Sequence, residues 1–95
     1  MTGSTHNPDY RLLLGILREA RKQQCVSQVE LAARLGNTQT FVSKCERGER
    51  RIDLVEFVEI AEAIGVSPQE MLAEYLGRRA PRGSAGGKLA QKILD

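Results

Sequence analysis

The chain has 95 residues, 41% of them apolar, a formal net charge of +2, no Trp, two Phe and two Tyr. That is enough for one domain with a single aliphatic core and too little for two. No apolar run approaches the roughly 18 residues of a membrane span.

The opening MTGSTHNPDY lacks the basic and apolar regions of a secretory signal. Two cysteines, Cys25 and Cys45, form neither a disulfide framework nor a CxxC pair, and the single histidine, His6, leaves no zinc-ligand set. The expectation is a cytoplasmic protein with reduced cysteines, no metal and no cofactor. No Ser/His/Asp set and no phosphate-cradling glycine loop is present, so an enzyme is not expected.

In chain order, residues 1–7 are predicted to be disordered. Asn7 and Pro8 start a first helix reaching about Gln24, with Leu13, Ile16, Leu17 and Ala20 as its buried stripe and Leu12 at the margin. Gly15 inside it costs about 1 kcal/mol relative to Ala, and close packing against a neighbour would account for it. Ser27 caps a second helix over about 28–35, and Glu30 completes an S-x-x-E capping box. Leu31, Ala32 and Leu35 share its inner face.

Gly36 suits the positive φ of a chain leaving a helix. Thr38 caps a third helix over about 38–47, with Val42 and Cys45 inward. Two short helices joined by so tight a turn, the second with a polar and uncharged start, have the shape a DNA major groove accepts.

Gly48 ends the third helix. Asp53 caps a fourth over about 54–64, with the stripe Leu54, Phe57, Val58, Ala61 and Ile64, and Gly65 stops it. Ser67, Pro68 and Glu70 open a fifth helix, again with a capping box, that runs to about Leu76. Residues 77–87, GRRAPRGSAGG, read as a flexible basic linker, and KLAQKILD (88–95) as two turns of amphipathic helix that need a partner surface. The predicted organisation is an all-α domain over 8–76 and a basic tail over 77–95, with no further sensing or cleavage domain.

Charge is segregated along the chain. Residues 11–51 hold nine basic and four acidic side chains, whereas residues 52–76 hold six acids and no base. Such a layout fits one face turned to a polyanion and one turned away.

Three pieces, SQVELAARLG (27–36), VSKCERGER (42–50) and VEIAEAIGVSPQEML (58–72), carry a family resemblance. At this spacing, residues 11–76 resemble the XRE family of Cro-like and phage-repressor-like helix-turn-helix transcriptional regulators. The resemblance implies a five-helix, lambda-repressor-like, all-α domain. It also implies a homodimer on double-stranded DNA, most often acting as a repressor at a near-palindromic operator. Its third helix would be the recognition helix, with Gln39, Thr40 and Lys44 facing base edges. Gln28 would contact a phosphate and brace Gln39, while Ser43 and Arg47 would lie near the backbone. Arg21 and Glu46 would form a structural ion pair between the first and third helices.

The chemistry of these residues agrees with those roles: Gln can pair bidentately with adenine, Lys can donate to guanine, and the Thr methyl can touch a thymine methyl. The bland alternative, that they are simply solvated, stays open. For Arg47, Arg50 and Arg51, phosphate contact and solvation are both open, as they are for Arg78, Arg79 and Arg82. Phe41 either packs on the second helix or touches a thymine methyl. Cys25 stands where the family usually has glycine and must accept a left-handed backbone or open its turn. The apolar excess of Met71, Leu72, Tyr75 and Leu76 predicts a dimer interface. The alternative function is a protein-interaction module, such as the antitoxin half of a toxin pair, whose tail over 77–95 folds on a protein partner.

Overall fold

The computed structural model describes residues 7–79, and the expectations for 1–6 and 80–95, including Arg82 and KLAQKILD, lie outside them. Five helices follow in order: α1 Pro8–Gln23, α2 Gln28–Leu35, α3 Gln39–Glu46, α4 Leu54–Ile64 and α5 Pro68–Arg78. Each begins at a polar side chain that satisfies an orphan backbone N–H. Asn7 Oδ1 accepts from Asp9 N at 2.7 Å, Ser27 Oγ from Glu30 N at 3.0 Å and Thr38 Oγ1 from Phe41 N at 3.1 Å. Asp53 Oδ1 accepts from Glu56 N at 2.7 Å, and Ser67 Oγ from Glu70 N at 3.2 Å.

The reciprocal half of a capping box closes at α4, where Asp53 N donates to Glu56 Oε1 at 3.1 Å. It was expected at α2 and α5. At α2, Glu30 turns instead to Arg34 at 2.8 Å, an i,i+4 ion pair.

Four helices end alike. After α2, Asn37 N reaches Ala32 O at 2.9 Å and Gly36 N reaches Ala33 O at 3.1 Å, the paired bonds of a Schellman motif. The same pairs close α1 (Val26 N to Arg21 O, Cys25 N to Lys22 O), α3 (Glu49 N to Lys44 O, Gly48 N to Cys45 O) and α4 (Val66 N to Ala61 O, Gly65 N to Glu62 O). The motif needs one left-handed residue. Gly36, Gly48 and Gly65 supply it at φ 66°, 78° and 99°, and Cys25 adopts it at φ 59°. Cys25 therefore accepts the left-handed backbone rather than opening the turn.

Leu17, Ala20, Val26, Leu31, Ala32, Val42, Phe57, Ile60 and Ile64 form the core, with Phe41, Leu35 and Met71 packed on its edge. α2 lies against α3 and α4, and α1 against α3, α4 and α5. Arg34 also donates through Nη1 to Ala63 O at 2.8 Å, placing a cation on the carbonyl end of α4.

Three sequence expectations change. Leu54 is 72% exposed and Ile60 takes its place inside; Leu54 opens the first turn of α4, where its face has already left the cover of the other helices. Leu14 is buried, whereas Leu13 is only partly covered. Gly15 is exposed, and a Cβ there would meet nothing within 4 Å, so close packing does not account for it.

Candidate nucleic-acid interface

The interface is built from the inside outward. Arg21, on the last turn of α1, is the one buried charged residue among those described. Its Nε donates to Glu46 Oε2 at 2.6 Å, its Nη2 to Glu46 Oε1 at 3.1 Å, and its Nη1 to the Val26 carbonyl at 2.8 Å. The two side chains are only 9% and 13% exposed. A buried guanidinium is tolerable only when such partners satisfy it. The pair thus fixes the end of α3 against α1.

Glu46 extends this anchor to the surface. Its Oε1 also accepts from Gln28 Nε2 at 2.9 Å, and Gln28 Oε1 accepts from Gln39 Nε2 at 3.4 Å. A continuous chain of polar contacts, Arg21–Glu46–Gln28–Gln39, ties the first residue of α2 and the first of α3 to a buried charge. Side chains held this way lose less freedom on meeting a ligand. Between the two helices, Gly36 and Asn37 make the turn, and Asn37 Oδ1 accepts from Thr38 N at 2.8 Å.

Gln39, Thr40, Ser43 and Arg47 line one open concavity of about 260 Å³ along α3. Lys44 is exposed beside this stripe, on the Thr40 row of the helix. Phe41 is partly covered and packs on the core rather than projecting from the tip.

The loop after α3 is held by its arginines. Arg50 forms a forked pair with Glu56 at 3.0 and 2.9 Å, and stacks over the Phe41 ring at 4.8 Å. The Arg50 guanidinium and the Asp53 backbone N–H hold the Glu56 carboxyl below its ordinary value of 4.5. Arg51 stacks over Tyr10 at 5.0 Å, while Tyr10 Oη accepts from Ile52 N at 2.9 Å. Arg47 is paired with Glu49 through Nε at 2.9 Å and Nη2 at 3.1 Å, and also donates to Ser43 Oγ. That pairing raises the Arg47 pKa and lowers that of Glu49.

The residues expected at base edges and phosphates therefore fall on one side of α2 and α3, whereas Arg50 and Arg51 are drawn to acidic and aromatic partners. Sequence reasoning missed Glu49 as the partner of Arg47, Glu56 as that of Arg50 and Tyr10 as that of Arg51. The D-L-V-E spacing of Asp53 and Glu56 was a readable capping-box signal. Nothing local in the sequence pairs Tyr10 with the Ile52 backbone.

At the proposed dimer face, Met71 and Tyr75 are partly covered and Leu72 and Leu76 are exposed. Leu54 and Val55 of α4 add further exposed apolar surface. Leu54, Phe57, Val58, Pro68 and Leu72 border a shallow trough between α4 and α5. Arg78 extends α5 two residues past Leu76 and pairs with Glu74 at 2.8 Å. Cys45 is buried in the core, which pushes its thiol pKa up, and Cys25 is exposed. No group of residues that could hold a metal ion is found among the described residues. Nor is any helix there long and apolar enough to cross a membrane.

Two short helices meeting through a glycine turn, with polar side chains braced at the tip of the second, define a helix-turn-helix DNA-binding domain. A helix-turn-helix family model matches residues 17–71. The chain is 35% identical over 65 residues to the HTH-type transcriptional regulator y4dJ of Sinorhizobium fredii, covering 67% of this chain and 84% of that protein. It is 46% identical over 48 residues to y4dL of the same organism, covering 50% of this chain and 24% of y4dL. Among solved structures, an XRE-family like protein from Pseudomonas syringae pv. tomato superposes with a TM-score of 0.75 at 43% identity, over 83% of this chain and 96% of that one. The clp gene regulator ClgR from C. glutamicum follows with a TM-score of 0.68 at 26% identity, over 78% and 96%. The chain belongs to the XRE family of helix-turn-helix transcriptional regulators.

Proposed function

We propose that this protein is a cytoplasmic, sequence-specific repressor that binds a near-palindromic operator as a homodimer. One observation carries the reading: the buried Arg21–Glu46 pair is relayed through Gln28 to Gln39, fixing the tip of α3 in advance of any ligand. Gln39, Thr40 and Lys44 meet base edges, Gln28, Ser43 and the loop arginines Arg50 and Arg51 serve the phosphates, and Arg47, at the end of α3, lies at the same DNA surface. For Arg50 and Arg51 this requires a phosphate to compete with Glu56 and with the Tyr10 ring. The domain spans residues 8–76 together with the last turn of α5, which runs on to Arg78, and the remainder of 77–95 is an accessory tail.

The dimer forms through the exposed apolar surface of α5, Leu72 and Leu76, with Met71 and Tyr75 at its base and Leu54 and Val55 alongside. Two copies would place their α3 helices in successive major grooves about 34 Å apart and exclude other proteins from the site.

Selection of binding sites from random duplexes, followed by sedimentation of the complex, tests the reading. A palindromic consensus bound by two chains supports it. A monomer with equal affinity for every duplex refutes it.

A further inference from the structure

We infer that Arg47 reads a guanine edge, with Glu49 and Ser43 as the residues that position it; the inference rests on the DNA-binding reading above. A guanidinium carries five N–H groups. Arg47 gives its Nε hydrogen to Glu49 Oε2 and one Nη2 hydrogen to Glu49 Oε1, at 2.9 and 3.1 Å. One Nη1 hydrogen goes to Ser43 Oγ. One hydrogen on each terminal nitrogen remains. With Ser43 on the Cδ-side hydrogen of Nη1, the two that remain are the parallel end-on pair, which matches the O6 and N7 acceptors that guanine presents in the major groove.

The placement fits a base better than a phosphate. Arg47 borders the same concavity as Gln39, Thr40 and Ser43, so it belongs to the α3 stripe turned toward the groove. Glu49 beside it would repel a phosphate approaching the same guanidinium, whereas a base edge carries no net charge. The main chain of the acid is held in place, while its carboxylate is half exposed. Its backbone N–H is bonded to Lys44 O at 2.9 Å, within the left-handed turn that Gly48 makes at φ 78°. The backbone that carries this carboxylate is thus tied to the end of the recognition helix itself. A long, flexible side chain has been given one direction, and its charge has been neutralised against indiscriminate attraction to duplex backbones.

The test is site selection and competition binding with the full chain and three variants. Arg47→Met is expected to lose guanine preference at one position in each half-site, by about 5- to 150-fold, and to leave other positions unchanged. Arg47→Lys keeps the charge and can still donate to guanine but has no planar fork, and is expected to lose part of the preference, less than Arg47→Met. Glu49→Gln is expected to relax that position, to bind scrambled duplex more tightly and to steepen the salt dependence by about one phosphate's worth. A uniform loss across all sequences in Arg47→Met, with a shallower salt slope, would identify a phosphate contact and overturn the inference. Unchanged selection in all three variants would reduce the cluster to a solvated ion pair. Failure of the unaltered protein to select any sequence would sink the DNA-binding reading beneath it.

Discussion

Replacing Glu46 by Ala removes the acceptor of three hydrogen bonds, two from Arg21 at 2.6 and 3.1 Å and one from Gln28 at 2.9 Å. The Val26 carbonyl stays on Arg21 Nη1, but two guanidinium edges lose their partner in a site only about a tenth exposed. Breaking a buried pair on one side costs about 3–5 kcal/mol. Water can reach part of this site, so the low end, about 3 kcal/mol, applies. At about 4–8 °C per kcal/mol for a domain of this size, the midpoint should fall by roughly 12–24 °C. Urea and thermal unfolding, followed by helical circular dichroism, measure it. Combining Arg21→Met with Glu46→Leu should restore much of the loss, because no uncompensated charge remains. The reasoning fails if Glu46→Ala costs under about 1 kcal/mol, as a surface pair would, or if the double variant is the sum of the singles.

Three further outcomes follow from single sites. Gly15→Ala should stabilise by about 0.5–1 kcal/mol, since the position is helical, exposed and open around its Cβ; a lower unfolding midpoint would reveal an unrecognised constraint there. Cys25→Gly relieves a left-handed strain of about 1–2 kcal/mol and loosens the unfolded chain by about 0.4–1 kcal/mol. The net expectation is a gain of about 0.8 kcal/mol, contradicted by a clear loss. Glu56 is paired with Arg50 and with the Asp53 N–H, and its carboxyl titrates below its ordinary 4.5 in the folded state. Its stabilising effect is therefore complete above about 4.5 and is lost as pH falls through the lower folded value. The stability difference between the unaltered protein and Glu56→Gln should shrink below pH 4.5; a constant difference from pH 7 to 3 would remove the pair from the account.

Caps and stops were readable because each uses a short local code. Asn7, Ser27, Thr38, Asp53 and Ser67 stand at the five starts, and Gly36, Gly48 and Gly65 at three of the ends. What lay beyond the sequence depends on which neighbour covers a residue. Leu54 shares helical spacing with Phe57 and Ile64, yet only the tertiary packing shows that it lies past the edge of the core, with Ile60 inside instead. The arginines behave likewise. The sequence left Arg47, Arg50 and Arg51 with the same two readings, phosphate contact or solvation, whereas the fold gives each its own partner, Glu49, Glu56 and the Tyr10 ring. The tip residues Gln28 and Gln39 could be singled out by position, but their link to Glu46 exists only once α1, α2 and α3 converge.

The central claim is that the tips of α2 and α3 form the surface that meets duplex DNA. Titrating isotope-labelled protein with its selected duplex, and following backbone amide resonances, tests this most directly. The account predicts saturable shifts at Gln28 and across Thr38–Lys44, with Glu59 and Glu62 on exposed α4 positions unmoved. Shifts confined to α4 and α5, or none at saturating duplex, would contradict it.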